Sequence, residues 1–332
     1  MLTLVKPTDE LVEAADRDGW FSPERRAALL AVLRLLAARG YTFVTATPAT
    51  HARVVKRPTR RVASNLRDVL GWSLPFERDL LDTEMFDALD AAGMLAEVEN
   101  GRLAALLRVS AVEGTLFLHS AYPTTDHDSV FLGPDSYRFA QWIAARLLPS
   151  AHRILDYGAG AGVGGIVAAR ETREPHLTLA DINPKALFLA SINAEFAGID
   201  HGTVHAQQPR DVPGHYDLIV THPPFMIDGG QRAYRDGGDL YGARLSLEWV
   251  LQAIDLLAPG GRLILHTGVS IVGGRDVLLD ALRERLPATG LGMEYRELDP
   301  DIFSEDLDQL GYVDVERIAA VGLVIRRMDE PE

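Results

Sequence analysis

The stretch Ile154-Leu155-Asp156-Tyr157-Gly158-Ala159-Gly160-Ala161-Gly162 constrains this chain more than any other. A short apolar strand ends in an acid, enters a turn with glycine at alternate positions, and leads into a helix that begins near Gly164. Glycine is needed where a backbone bends sharply and must approach a ligand closely. The spacing of Gly160, Gly162 and Gly165 satisfies G-x-G-x-x-G, so a nicotinamide or flavin fold is one reading. Asp156 argues against it. A pyrophosphate is held by backbone amides and the positive end of a helix, and an acid at the strand tip is unfavourable there. S-adenosylmethionine has no phosphate, and its methionine ammonium suits a nearby carboxylate.

Asp181 closes a second apolar strand, Leu177–Ala180, 25 residues after Asp156. A carboxylate at that place accepts hydrogen bonds from ribose hydroxyls. Ile182 follows it directly and joins it as a candidate cofactor contact. A third strand, Thr203–Ala206, is followed by Gln207 and Gln208. The fourth strand, Asp217–Thr221, runs into His222-Pro223-Pro224-Phe225. Two prolines stiffen a turn in which a carbonyl can point at substrate. Acceptors at that turn orient a planar nitrogen for attack on a methyl group, and the aromatic ring stacks on the flat acceptor.

From Pro149 onward strands alternate with helices, which predicts a doubly wound, mostly parallel sheet covered on both faces. Residues 1–125 read differently. Ser22-Pro23-Glu24 opens a helix that Gly40 ends; Thr59–Leu70 and Thr83–Ala92 suggest two more. Runs at Met94–Val98 and Arg102–Val109 flank Asn100-Gly101, a hairpin signal, and Thr115–His119 extends the small sheet. Helices followed by a β-ribbon predict an α+β, winged-helix-like recognition domain over 1–125. The second domain is then 126–332.

Between Arg25 and Arg67 the chain holds ten basic residues and no acid, although its net charge is −14. Such a block suggests a polyanionic partner, with Arg57, Arg60 and Arg61 as contacts; the bland alternative is a solvated face neutralised by acids from elsewhere. Cysteine is absent, which excludes disulfides and thiolate chemistry. No apolar run is long enough for a membrane span, and Met1–Glu10 lacks a signal-peptide layout, so a cytoplasmic protein is expected. Asp126-His127-Asp128 reads as a polar loop, and no metal is expected.

Together these motifs resemble the class I S-adenosylmethionine-dependent methyltransferases with an Asn/Asp-Pro-Pro-aromatic tetrad. That group includes the release-factor glutamine, adenine-N6 and small-subunit rRNA guanine methyltransferases. The resemblance runs from about Val130 to Leu286 and implies a seven-stranded sheet with S-adenosylmethionine as cofactor. It also implies a macromolecular acceptor, RNA or a translation-associated protein. Asp156, Gly158, Gly160 and Gly162 match the cofactor loop, and Asp181 the ribose acid. Gln207 stands where the family often has an acid, and the resemblance implies that it accepts a bond from the adenine amine. Ala190-Ser191-Ile192-Asn193-Ala194 resembles the helix that follows. Val130–Ser136 and Tyr234–Gly242 resemble segments of the glutamine methyltransferases. His222 departs from the family's Asn or Asp: a neutral imidazole has one acceptor nitrogen and can also act as a base. That departure leaves open an S-adenosylmethionine-binding module with weakened catalysis. The glycine-rich tract 228–242, with Tyr234 and Arg235 as substrate contacts, reads as a mobile lid.

Overall fold

The structure is a computed structural model that describes residues 20–229, 232 and 234–328. The signal-peptide reading of Met1–Glu10 lies outside the described residues. The N-terminal region starts with α1 (Pro23–Ala38), capped by the Ser22 hydroxyl, which accepts from the Arg25 amide at 3.1 Å. Then come α2 (Pro48–Val55), α3 (Leu66–Leu70) and α4 (Thr83–Ala91). The helix expected over Thr59–Leu70 is broken, because the Asn65 side chain caps a fresh start by accepting from the Asp68 amide at 3.1 Å. β1 (Leu95–Glu97) and β2 (Leu103–Ala105) form the expected hairpin, with Asn100 and Gly101 both at positive φ. The strand expected to reach Val109 stops at Leu106. β3 (Leu107–Val112) instead pairs with β4 (Thr115–Ser120) in a separate ribbon.

Beyond it lie α5 (Pro134–Ala144), β5 (Arg153–Tyr157), α6 (Val163–Arg170), β6 (His176–Asp181), α7 (Pro184–Phe196), β7 (His201–His205) and β8 (Tyr216–Thr221). α8 (Arg244–Ala253), β9 (Leu257–Val272), β10 (Arg275–Asp276), α9 (Val277–Arg285), β11 (Leu291–Asp299) and β12 (Arg317–Arg327) complete it. The main sheet has the order β11-β12-β9-β8-β5-β6-β7, a path of seven strands, with the short β10 paired to β9. β5 to β9 run parallel, and β12 is antiparallel to β9 and β11. β9 begins at Leu257, not Arg262, and continues past His266 because β12 supplies its outer edge through Ile271.

Alternate residues of β5 face opposite layers. Ile154 joins a core with Leu177, Leu189 and the N-terminal Leu29, Leu33 and Phe117, while Leu155 joins Ile219, Val250 and Leu263. One apolar core therefore spans residues on both sides of position 125. A buried amide links the two parts as well. Asn193 Oδ1 accepts from the Leu118 amide at 2.9 Å, and its Nδ2 donates to the carbonyls of Leu118 at 3.1 Å and Ala161 at 2.9 Å. Among the described residues no helix is long and apolar enough to cross a membrane.

Candidate active site

Strand order reverses between β5 and β8, and ligands of open α/β sheets bind in the crevice at the carboxyl ends of such strands. A cavity of about 360 Å³ opens there. It brings together Asp156, Gly158, Gly160, Asp181, Ile182 and Gln207 with His222, Pro223, Pro224 and Phe225, and also reaches Tyr234 and Arg235. Gly162 is not among its lining residues. It takes φ +81° as the N-terminal cap of α6, where a Cβ would lie 3.2 Å from that of Ala190. Arg57, Arg60 and Arg61 also lie outside the lining.

At the cofactor end, Asp156 is buried and its Oδ2 accepts from the Gly165 amide at 2.7 Å. Burial, with the Asp181 charge adding to it, pushes its carboxyl up to about 8. Asp181 accepts from the Gly160 amide at 2.9 Å and the Asn183 amide at 2.8 Å, so the loop and strand tip are locked together. Burial raises its carboxyl too, against the lowering effect of those amides. Each oxygen keeps a further lone pair for a ligand hydroxyl. Gly158 sits at φ +70°, and a Cβ there would lie 2.6 Å from the ring of Trp249, which closes the cavity floor. Ile182 is 44% exposed, and Gln207 is exposed, whereas Gln208 is turned to Asp211 at 3.4 Å. The carboxyls of Asp135, Asp156, Asp181 and Asp236 line the cavity against Arg235, and a bound cation favours their ionised forms. A cavity so acidic suits a cationic ligand and repels a pyrophosphate. The donor set therefore fits S-adenosylmethionine and not a dinucleotide.

At the other end, the Nδ1 of His222 lies 2.8 Å from the carbonyl oxygen of His266. That oxygen can only accept, so Nδ1 carries the proton and Nε2 is the acceptor of the neutral ring. Burial lowers the imidazole's affinity for a proton, and the Asp135 charge partly restores it. The His266 ring, fully buried, is held well below the ordinary histidine range by burial and by the neighbouring His222 and Arg138. Phe139 stands 5.5 Å from the His222 ring and Phe225 stands 5.8 Å from it. Phe225 packs so closely on Gly268 that a Cβ there would lie 2.3 Å from its ring. Phe303, at φ +51°, comes within 5.9 Å of Phe225 from the segment between β11 and β12.

Residues 137–269 match the family model described as "Methyltransferase small domain". The match takes in β5 to β8, the cofactor loop and the His222–Phe225 turn. A ribosomal RNA small subunit methyltransferase C from Pasteurella multocida is 35% identical over 117 residues, 35% of this chain and 32% of that protein. A release factor glutamine methyltransferase from Deinococcus radiodurans is 29% identical over 128 residues, 39% of this chain and 45% of that protein. The chain thus spans less than half the length of these two relatives. A solved T. thermophilus 16S rRNA N2 methyltransferase in complex with AdoMet and guanosine shares 17% identity at a TM-score of 0.42. That likeness covers 77% of this chain and 64% of that one.

The tract 228–242, expected to be a mobile lid, departs from expectation. Its described residues are fastened on both sides. Asp228 pairs with Arg232 at 2.6 Å, Arg235 pairs with Asp306 at 2.6 Å, and the Tyr234 hydroxyl donates to the Thr124 carbonyl at 2.5 Å. Arg235 is therefore neutralised by Asp306, with Asp228 at 3.8 Å, and is not a free cation for substrate. Tyr234 faces Phe131 across the rim, ring centroids 6.1 Å apart and nearly parallel.

The basic block is divided. Arg26 pairs with Glu195, Arg39 with Asp82, and Arg60 with Asp68 at 2.6 Å while lying over Trp72. Arg60 is thus a structural cation and not a free contact. Arg53, Lys56, Arg57 and Arg61 are exposed and form no ion pair among the described residues. Arg53 lies in α2 and Lys56 caps it, while Arg57 and Arg61 flank the turn that follows; α2 is tied to the cavity rim, since His51 stacks on Tyr122 at 4.0 Å, two residues before Thr124. Asp135, Phe139, Trp249, His266 and Phe303 were not read from sequence as site residues. Asp135 had a faint signal, since Gly133-Pro134 marks a helix start with an acid at its N-terminus.

Proposed function

We propose that this chain transfers a methyl group from S-adenosylmethionine to a planar amino or amide nitrogen of a macromolecule, RNA before protein. The observation that carries this is the convergence of Asp156 and Asp181 with His222–Phe225 on one acidic cavity. When bound, S-adenosylmethionine supplies a methyl group already activated on a sulfonium. The protein's part is then placement and charge, which supplies much of the rate. Asp156 balances the cationic methionine end. Asp181, Ile182 and Gln207 face the nucleoside end. His222 Nε2 and the Pro223 carbonyl accept from the acceptor nitrogen, and Phe225 supports its plane.

The matched rRNA methyltransferase and the exposed cluster Arg53, Lys56, Arg57 and Arg61 favour an RNA acceptor. A glutamine side chain is the second reading, supported by the match to a release factor glutamine methyltransferase. A weakened module is disfavoured because Nε2 of His222 has no protein partner among the described residues and stays free for an acceptor. Nothing supports the nicotinamide alternative. Labelled-methyl transfer from S-adenosylmethionine into separated RNA and protein fractions tests the proposal. Label in neither fraction refutes it; label in protein alone selects glutamine.

A further inference from the structure

One carboxylate in the cavity has no role in the scheme above. Asp135, the second residue of α5, is 2% exposed and lines the cavity. Its Oδ1 accepts from one Arg138 nitrogen at 3.1 Å, and the other binds Asp299 at 2.7 Å. One turn along the same face, Phe139 places its ring 5.5 Å from that of His222. α5 thus delivers a carboxylate and a packing ring to the imidazole wall. Asp135 and His222 share no hydrogen bond, but both line the same cavity, and the charge of each favours the charged form of the other. Other ionisable groups near the pair are His266, kept neutral by burial, and Arg138, whose guanidinium is shared between Asp135 and Asp299, so that one cation meets two carboxylates.

We propose that His222 is the proton acceptor of methyl transfer and that Asp135 is its positioning residue, a carboxylate–imidazole pair where the resembling family carries one Asn or Asp. The proposal rests on the methyltransferase reading. The lone pair of the acceptor nitrogen forms the N–CH₃ bond as the S–CH₃ bond breaks, and that bond's electron pair stays on sulfur. The proton of the nitrogen passes to Nε2 of His222. Nδ1 cannot take it, because its own hydrogen is committed to the His266 carbonyl. One positive charge therefore moves from sulfur to imidazole, where the Asp135 carboxylate compensates it. An amide in place of His222 would orient the acceptor but could not carry the proton away.

The test compares wild type with Asp135→Asn and Asp135→Glu in methyl transfer to whichever fraction accepts label, across pH. Neutral His222 is the competent form, so kcat falls on the acid side of its pKa. Without Asp135 that acid limb moves to lower pH. Asp135→Asn is expected to lower kcat about tenfold or more. It should leave the affinity for S-adenosylmethionine within about twofold, and Asp135→Glu should restore part of the rate. An acid limb that stays in place, or cofactor affinity that falls in step with kcat, overturns the proposal. A second measurement needs no acceptor: NMR titration of labelled histidines with S-adenosylhomocysteine present, the His222 signal assigned through His222→Gln. That signal should titrate at lower pH in Asp135→Asn, and an unmoved titration overturns the pair. If wild type labels neither fraction, the methyltransferase reading fails, while the titration still decides the coupling. If Asp135→Asn does not fold, Asp135→Ser takes its place in both measurements.

Discussion

The two ends of the cavity are built in different ways. The cofactor end is local: Asp156, Gly158 and Gly160 come from one strand–loop, and Asp181 and Ile182 from the neighbouring strand tip. Its hydrogen bonds run from side-chain carboxylates to backbone amides, so its shape depends on few side chains. The acceptor end is assembled from distant segments. Asp135 and Phe139 come from α5, His222 and Phe225 from the end of β8, His266 from β9, and Phe303 from the β11–β12 connection. A site made by two loops can be kept while a site made by four segments is retuned. That contrast fits a shared cofactor and a changing acceptor.

The largest expected effect breaks the cofactor end alone. Asp156→Asn should weaken S-adenosylmethionine binding roughly 100-fold by calorimetry, since a buried cation loses its counter-charge. The same change should stabilise the empty protein at alkaline pH. The folded carboxyl sits at about 8, above its unfolded value, so the folded state holds an extra proton between about pH 4 and 8. Stability of the empty wild type therefore falls as pH rises through that window, and Asp156→Asn should flatten the fall in thermal melts. Binding should release protons, measurable as a buffer-dependent enthalpy.

The next effect separates the two ends. His222→Ala should lower kcat about 100-fold with cofactor affinity unchanged; a parallel loss of cofactor affinity would mean that the ends are not separable. Phe303→Ala should raise KM for the acceptor roughly tenfold, the worth of one aromatic stack, with little change in kcat. The smallest effect lies outside the cavity. Arg57→Ala and Arg61→Ala should each weaken RNA binding a few-fold and reduce the salt slope by about one. An unchanged salt slope would favour the protein acceptor.

The local construction also explains what could be read from sequence. Asp156, Gly158, Gly160 and Asp181 fall in contiguous strand–turn patterns, and the four-residue turn His222–Phe225 is likewise contiguous. The parallel sheet follows from strand–helix alternation. By contrast, Phe303 is an isolated aromatic whose role depends on a left-handed backbone in a long connection. Arg235 looked like a substrate cation because its partner Asp306 is 71 residues away. Two cations of the acid-free block lost their apparent role for the same reason: Glu195 reaches Arg26 from 169 residues on, and Asp82 reaches Arg39 from 43. Gly162 belongs to the glycine pattern, and its left-handed conformation serves the helix start.

The amide of Asn193 has a consequence for how the protein can be taken apart. It binds the backbone of β4 on one side and the Ala161 carbonyl of the glycine loop on the other. Removing β4 would strand buried polar groups beside the loop. A fragment beginning at 126 is thus a damaged fold, not a minimal one. A chimera that exchanges the first 125 residues must import a strand able to meet this amide. Any large ligand that displaces β4 on docking will pull directly on the glycine loop that lines the cavity.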